Sequence, residues 1–343
     1  MRQRQGPEEN HVARKNPTDV AALDCSDASV NTGSMSTVPR EIDAAVAHRR
    51  VPDNAFRRAR LLWWISLFFA ALGACLPIGF WTPFFALYRS SMFEALEPGG
   101  VLPSALQPVC SLLLGITGGS IAGKWIAHAA LARYALVGGE RWARNASMAG
   151  LLTWLMTDSA TSLARGAAFN VTLINWAPLL AFGLPMALAW NAFQQQPRGR
   201  LDARVSMSAR CCEAVCWLGA VSGVVIALAG SSSLFAPWHD ALAKAYHLDV
   251  EQTRVARRLA GFFLGPIGGS VAGQFVMLAA IAHHAIPRRR RWAIPACLAS
   301  IIGWFVVDSG YGLLFGGWFN IVMLNVPTLL LTLPPLCLAA RRQ

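Results

Sequence analysis

The stretch GITGGSIAGKW, residues 115–125, admits two readings, and the choice between them decides the fold. As a motif, Gly118 to Lys124 fits G-x-x-x-x-G-K, the core of a phosphate-binding loop. As a helix, Gly115, Gly119 and Gly123 fall four apart and make one smooth stripe. A phosphate loop needs a strand before it, a helix after it, and a Ser or Thr behind the lysine to hold a metal. Here CSLLLGIT and WIAHAALA flank the motif, both read as continuous helix, and Trp125 stands where the hydroxyl belongs.

The chain also carries a second copy of the stretch. At an offset of 265 − 115 = 150, GPIGGSVAGQF keeps the glycines and replaces Lys124 with Gln274. A nucleotide site would not shed its lysine and keep the rest. The helical reading explains both copies. Helices in lipid gain nothing from expelling water against one another, and small residues let their backbones approach closely. Gly115, Gly119 and Gly123, with Gly265, Gly269 and Gly273, are therefore expected to be packing stripes. Each would lie against the other or against a neighbour in its own repeat.

Composition agrees with a membrane setting. Of 343 residues, 55% are hydrophobic and only 14% charged, against about a quarter charged in soluble domains. Runs such as LLWWISLFFAALGACLPIGFW from Leu61 and IVMLNVPTLLLTLPPLCLAA from Ile321 match the roughly 20 apolar residues that a membrane span needs. The net charge of +12 sits at helix ends and in short loops, so it reads as topology rather than as a nucleic-acid surface. Arg288, Arg289, Arg290 and Arg291 could also attract anionic lipid.

The 150-residue offset extends well beyond the glycines. Trp142 and Trp154 fall over Trp292 and Trp304, and Asp158-Ser159 over Asp308-Ser309. Gly166, Phe169, Asn170 and Asn175 fall over Gly316, Phe319, Asn320 and Asn325 without a gap. This is read as a tandem duplication. Upstream, Phe84, Tyr88, Met92 and Leu96 align with Leu234, Trp238, Leu242 and Tyr246. Both sets suit a helix at the membrane interface or one lying on its own bundle.

The expected fold is an all-α membrane protein of eight transmembrane helices in two parallel four-helix repeats. Spans are placed at 61–80, 106–132, 146–164 and 171–190, then at 212–230, 257–283, 293–313 and 320–339. Residues 1–56 read as a disordered cytoplasmic tail, 57–192 as the first repeat, 193–209 as a cytoplasmic linker and 210–343 as the second repeat. Arginines concentrate on one set of segments, which predicts both termini in the cytoplasm and a bacterial inner membrane as the location. An even number of spans gives both repeats the same orientation, related by an axis along the membrane normal.

The chemistry-bearing residues lie in the third span of each repeat. An ionised Asp at mid-bilayer costs at least about 2.5–3.5 kcal/mol and faces protein or water by default. Asp158 lies about twelve residues, or ~18 Å, from the inner end of its span, past the midplane. Trp154 and Ser162 share its face, and Asn170 and Asn175 enter the next span at similar depth. Asp158, Ser159, Ser162, Asn170 and Asn175 therefore make one polar cluster, and Asp308, Ser309, Asn320 and Asn325 the other. Such clusters can couple ions or protons, or can simply glue helices by hydrogen bonds. Lys124 could pair with Asp158 if their helices adjoin. His128, His283 and His284 read as interfacial. Cys211, Cys212 and Cys216 lack further ligands nearby, so no metal or cofactor is expected. No cluster of His or carboxylates at an interface points to an enzyme.

The pattern W-x3-D-S, then a glycine, then F-N-x4-N resembles a class of small, uncharacterised bacterial four-span membrane proteins, here as two units fused. The resemblance covers Gly115–Pro185 and Gly265–Pro335 and implies a topology without an activity. Two functions follow from the residues. One is a transporter or channel for a small solute or ion, with Asp158 and Asp308 in the pathway. The other is a membrane scaffold, assembly factor or stress-related component in which the same groups only pack helices.

Overall fold

A computed structural model of the chain describes residues 53–97, 99–197 and 199–342. Up to residue 52, the stretch read as a tail lies outside the described residues. The first half begins with α1 (Asp53–Ala74), α2 (Ala86–Leu96) and α3 (Gln107–Tyr134). It continues with α4 (Arg141–Ala164) and α5 (Ala168–Leu188). The second half begins with α6 (Ala203–Ala229), α7 (Ala236–Ala245) and α8 (Val250–His284). It ends with α9 (Ala293–Leu314) and α10 (Trp318–Arg341). Among the described residues there is no strand, only an isolated bridge between Glu140 and Gln195.

Six of these helices are long and apolar enough to cross a membrane: α3, α5, α6, α8, α9 and α10. In hydrocarbon every backbone N–H needs a partner within its own segment, which such helices supply. The other two of the eight expected spans, α1 and α4, carry more polar residues. Arg57, Arg58 and Arg60 occupy the start of α1, so its apolar part runs only from Leu61 to Ala74 before the helix ends. Arg141, Arg144, Asn145 and Asp158 dilute α4. Two boundaries also differ from expectation. Helix α1 starts inside the stretch read as tail, and α6 starts inside the stretch read as linker.

Helices α3 and α8 form the centre, packed on each other. Each touches the first long helix of its own half, α1 on α3 and α6 on α8, and then crosses over. Helix α3 packs on α9 of the second half, and α8 packs on α4 of the first. The two halves are therefore interlaced rather than separate bodies. Outward faces carry Phe68, Met156, Leu180, Leu218, Val221 and Leu330, all exposed. That surface suits lipid and would be an aggregation hazard in water.

The glycine stripes sit on the crossing. A Cβ at Gly119 would come within 2.8 Å of the Asp308 Cβ, and one at Gly123 within 2.7 Å of the Trp304 Cβ. Gly115 faces Tyr311 and Gly265 faces Thr161. Gly269 faces Trp154 and Asp158, and Gly273 faces Gly150 and Trp154. Each stripe therefore lies on the Asp-bearing helix of the opposite half, a partner the stripe alone does not identify. Contact with the own half uses a different pair, Gly118 on Gly73 and Gly268 on Gly223.

Candidate functional site

Two residues past the ends of helices α4 and α9 stand Gly166 and Gly316, with φ of +71° and +78°. Only glycine takes that left-handed conformation without strain. This is the glycine of the D-S…G…F-N pattern, and it turns the chain back so that the asparagines face the aspartate.

The asparagines themselves are five residues apart. On an α-helix that spacing separates two side chains by about 140°. The chain is π-helical over Val171–Asn175 and again over Ile321–Asn325. Bonding of residue i to i+5 stacks residues five apart on one face. The F-N-x4-N spacing is therefore matched to a π-helical turn, a feature frequent at functional sites.

In the first half Asn170 Nδ2 donates to Asp158 Oδ1 at 3.0 Å and to Ser162 Oγ at 3.0 Å. Ser162 Oγ donates to Asp158 Oδ1 at 3.1 Å, and Asn175 Nδ2 donates to Ser159 Oγ at 3.0 Å. In the second half Asn320 Nδ2 and Asn325 Nδ2 both donate to Asp308 Oδ1 at 2.9 Å. Asn325 Nδ2 also donates to Ser309 Oγ at 3.0 Å. Both aspartates and all four asparagines are buried. The structure thus brings together all nine polar residues expected in the two clusters.

Two partners were not singled out for the site from the sequence. Tyr88 Oη donates to Asn170 Oδ1 at 3.0 Å, and Trp238 Nε1 donates to Asn320 Oδ1 at 3.2 Å. They stand 238 − 88 = 150 apart, and each is the polar-tipped aromatic of its short helix. That shared chemistry at the repeat offset was the available signal. These contacts, with buried Met92, Trp238 and Leu242, seat α2 and α7 on the bundle. Phe84 and Leu234 stay exposed.

One acceptor in each cluster remains unused. Asn175 Oδ1 and Asn325 Oδ1 are buried without a hydrogen-bond partner. A buried carbonyl oxygen left unpaired costs about 1–3 kcal/mol, and the two stand at equivalent positions of the two halves.

The halves differ around Lys124. Its ammonium is buried with no hydrogen-bond partner and lies 3.6 Å from the Trp154 ring centroid. It forms no ion pair with Asp158 at bonding distance, though the two interact electrostatically. The equivalent Gln274 instead donates to Ser300 Oγ at 3.0 Å. His128, expected at an interface, is fully buried between Trp125 and Phe182. It sits on central α3, which other helices enclose along its length. Among the basic run, Arg289 pairs with Asp202 at 2.8 Å and Arg290 pairs with Glu140.

No group of three or more His, Cys, Asp or Glu among the described residues is placed to hold a metal ion. No protein family, curated protein or solved structure matches this chain.

Proposed function

We propose that this chain is an eight-span membrane protein of two parallel four-span repeats, both termini cytoplasmic, that moves a small solute or ion past Asp158 and Asp308. The observation that carries this reading is the pair of buried carboxylates, each faced by a π-helical asparagine turn that keeps one amide oxygen unused. Intramembrane carboxylates are expensive to keep and serve by default as pathway groups. Irregular helix at membrane depth is tolerated where it lines a site.

Two contacts support the repeat axis. Arg290 pairs with Glu140, and Trp292 stacks with Trp142 at 6.4 Å and 6°. Each pair joins positions 150 apart, and equivalent positions meet only beside a shared axis. Both pairs lie at the same Arg-rich end, as an axis running along the helices requires.

The scaffold reading keeps one observation in its favour, the close seat of Gly119 on Asp308, which is helix packing. Proteoliposomes separate the two readings. Wild type and the double variant Asp158→Asn, Asp308→Asn are compared under pH and sodium gradients across a solute panel. Transport predicts flux in wild type that the variant loses at equal protein abundance. Equal flux in both, with only folding or abundance changed, assigns the clusters to packing.

A further inference from the structure

The two aspartate clusters are alike, but the space beside them is not. In the first half Phe69, Trp125 and Phe182 are buried and packed together. Phe69 stacks on Trp125 at 4.7 Å, and Trp125 meets Phe182 edge-on at 5.4 Å. The residues 150 positions later are Gly219, Phe275 and Thr332. Two of the three rings are gone, and a cavity of about 390 Å³ stands among α6, α8, α9 and α10. Asp308, Asn320, Asn325 and Gln274 line one part of it. Most of the remaining wall is apolar, and Leu218, Val221 and Leu331 on that wall are exposed at the outer surface of the bundle.

Charge separates the halves in the same sense. Asp158 has the buried Lys124 side chain within electrostatic reach. Asp308 has Gln274 at the equivalent position and no ion pair with Lys, Arg or His among the described residues. A carboxylate in low dielectric needs a countercharge or a proton. Asn325, whose buried Oδ1 has no hydrogen-bond partner, is among the residues that line the cavity. Both are acceptors, so a ligand that meets them together is a donor that carries one positive charge.

We infer that the cavity beside Asp308 binds a monovalent organic cation, a protonated amine with an apolar body, whose N–H groups meet Asp308 and Asn325 while the body fills the space beside Thr332, where the first half has the Phe182 ring. A bare inorganic cation would use the oxygens and leave the apolar wall unused. A pocket of this size, mostly apolar with a few convergent polar groups, is the usual form of a small-molecule site. The exposed apolar residues on its wall favour a ligand that partitions into the bilayer. The first half, plugged by rings and supplied with Lys124, is closed to the same ligand. This rests on the reading that Asp308 is a pathway group, and binding is measured apart from flux to keep the two claims separable.

The test uses the full chain in lipid nanodiscs and radiolabelled benzylamine, with benzyl alcohol as the uncharged body of the same shape. Saturable benzylamine binding, one per chain, is expected at a pH where the amine is charged. Asp308→Asn should weaken it about 10- to 100-fold, the loss of a charge-assisted hydrogen bond. Thr332→Phe, which restores the ring of the other half, and Gln274→Lys, which imports its cation, should do the same. These two variants carry the test if Asp308→Asn does not fold. Equal binding of benzyl alcohol, unchanged binding in folded variants, or no benzylamine binding would overturn the inference. So would sodium binding at Asp308 in place of the amine. Binding without flux in proteoliposomes would keep this site and sink the transport reading; flux of another solute without amine binding would do the reverse.

Discussion

Arg290 donates to buried Glu140, and the two are equivalent positions of the two halves, 290 − 140 = 150 residues apart. Trp142 Nε1 donates to the same carboxylate. Removing one partner of a buried pair leaves an uncompensated charge and costs about 3–5 kcal/mol. Arg290→Met is therefore expected to lower the melting temperature in detergent strongly. The exchange Glu140→Arg, Arg290→Glu should recover part of the loss. A single variant that melts like wild type would show that the contact does not hold the halves together.

The two glycine stripes should respond unequally to a single methyl group. At Gly119 it meets the Asp308 backbone nitrogen and Cβ at 2.8 Å, whereas at Gly269 the nearest atom, the Trp154 carbonyl oxygen, is 3.1 Å away. Gly119→Ala is expected to destabilise by about 1–3 kcal/mol, the usual cost of overpacking. Gly269→Ala should cost less. Thermal unfolding of the two variants side by side measures this, and equal losses would contradict the geometry.

Tyr88→Phe and Trp238→Phe each remove one donor to a cluster asparagine while keeping an aromatic ring. Each should cost about 0.5–1.5 kcal/mol. If the clusters form a pathway, each should also change flux more than a surface substitution of equal stability cost. Parallel melting and flux assays on matched amounts of protein give both readouts.

Topology is testable without any substrate. Reporter fusions after Arg342 should report the cytoplasm, and fusions within 231–254 the opposite side. A C-terminus outside the cytoplasm would overturn the eight-span arrangement and the parallel relation of the halves.

Much of the site was legible because its chemistry is spelled twice. Asp158 and Asp308, each followed at a fixed distance by two asparagines, identified the polar clusters without any view of the fold. The partner of each glycine stripe was not legible. A stripe states that another backbone comes close, and both halves offer similar candidates, so crossing over and staying home read alike. The π-helical turns were encoded in the spacing: two asparagines five apart cannot share one face of an α-helix. His128 reads as interfacial on its distance along the helix alone, whereas neighbouring helices enclose α3 along most of its length. The cavity beside Asp308 lies where Thr332 lacks the ring that Phe182 supplies in the first half, and such an absence carries meaning only once the packed half is seen.

The interlacing of the halves has a consequence for biogenesis. Asp158 is covered by Gly269 on α8, so its enclosure waits for a helix synthesised long after its own. Between residues 158 and 269 the ribosome adds 269 − 158 = 111 residues, roughly 6–22 seconds of synthesis. During that interval the carboxylate meets lipid or the insertion machinery without its protein cover. A chain truncated before α8 carries every residue of the first cluster and still lacks the helix that closes over it.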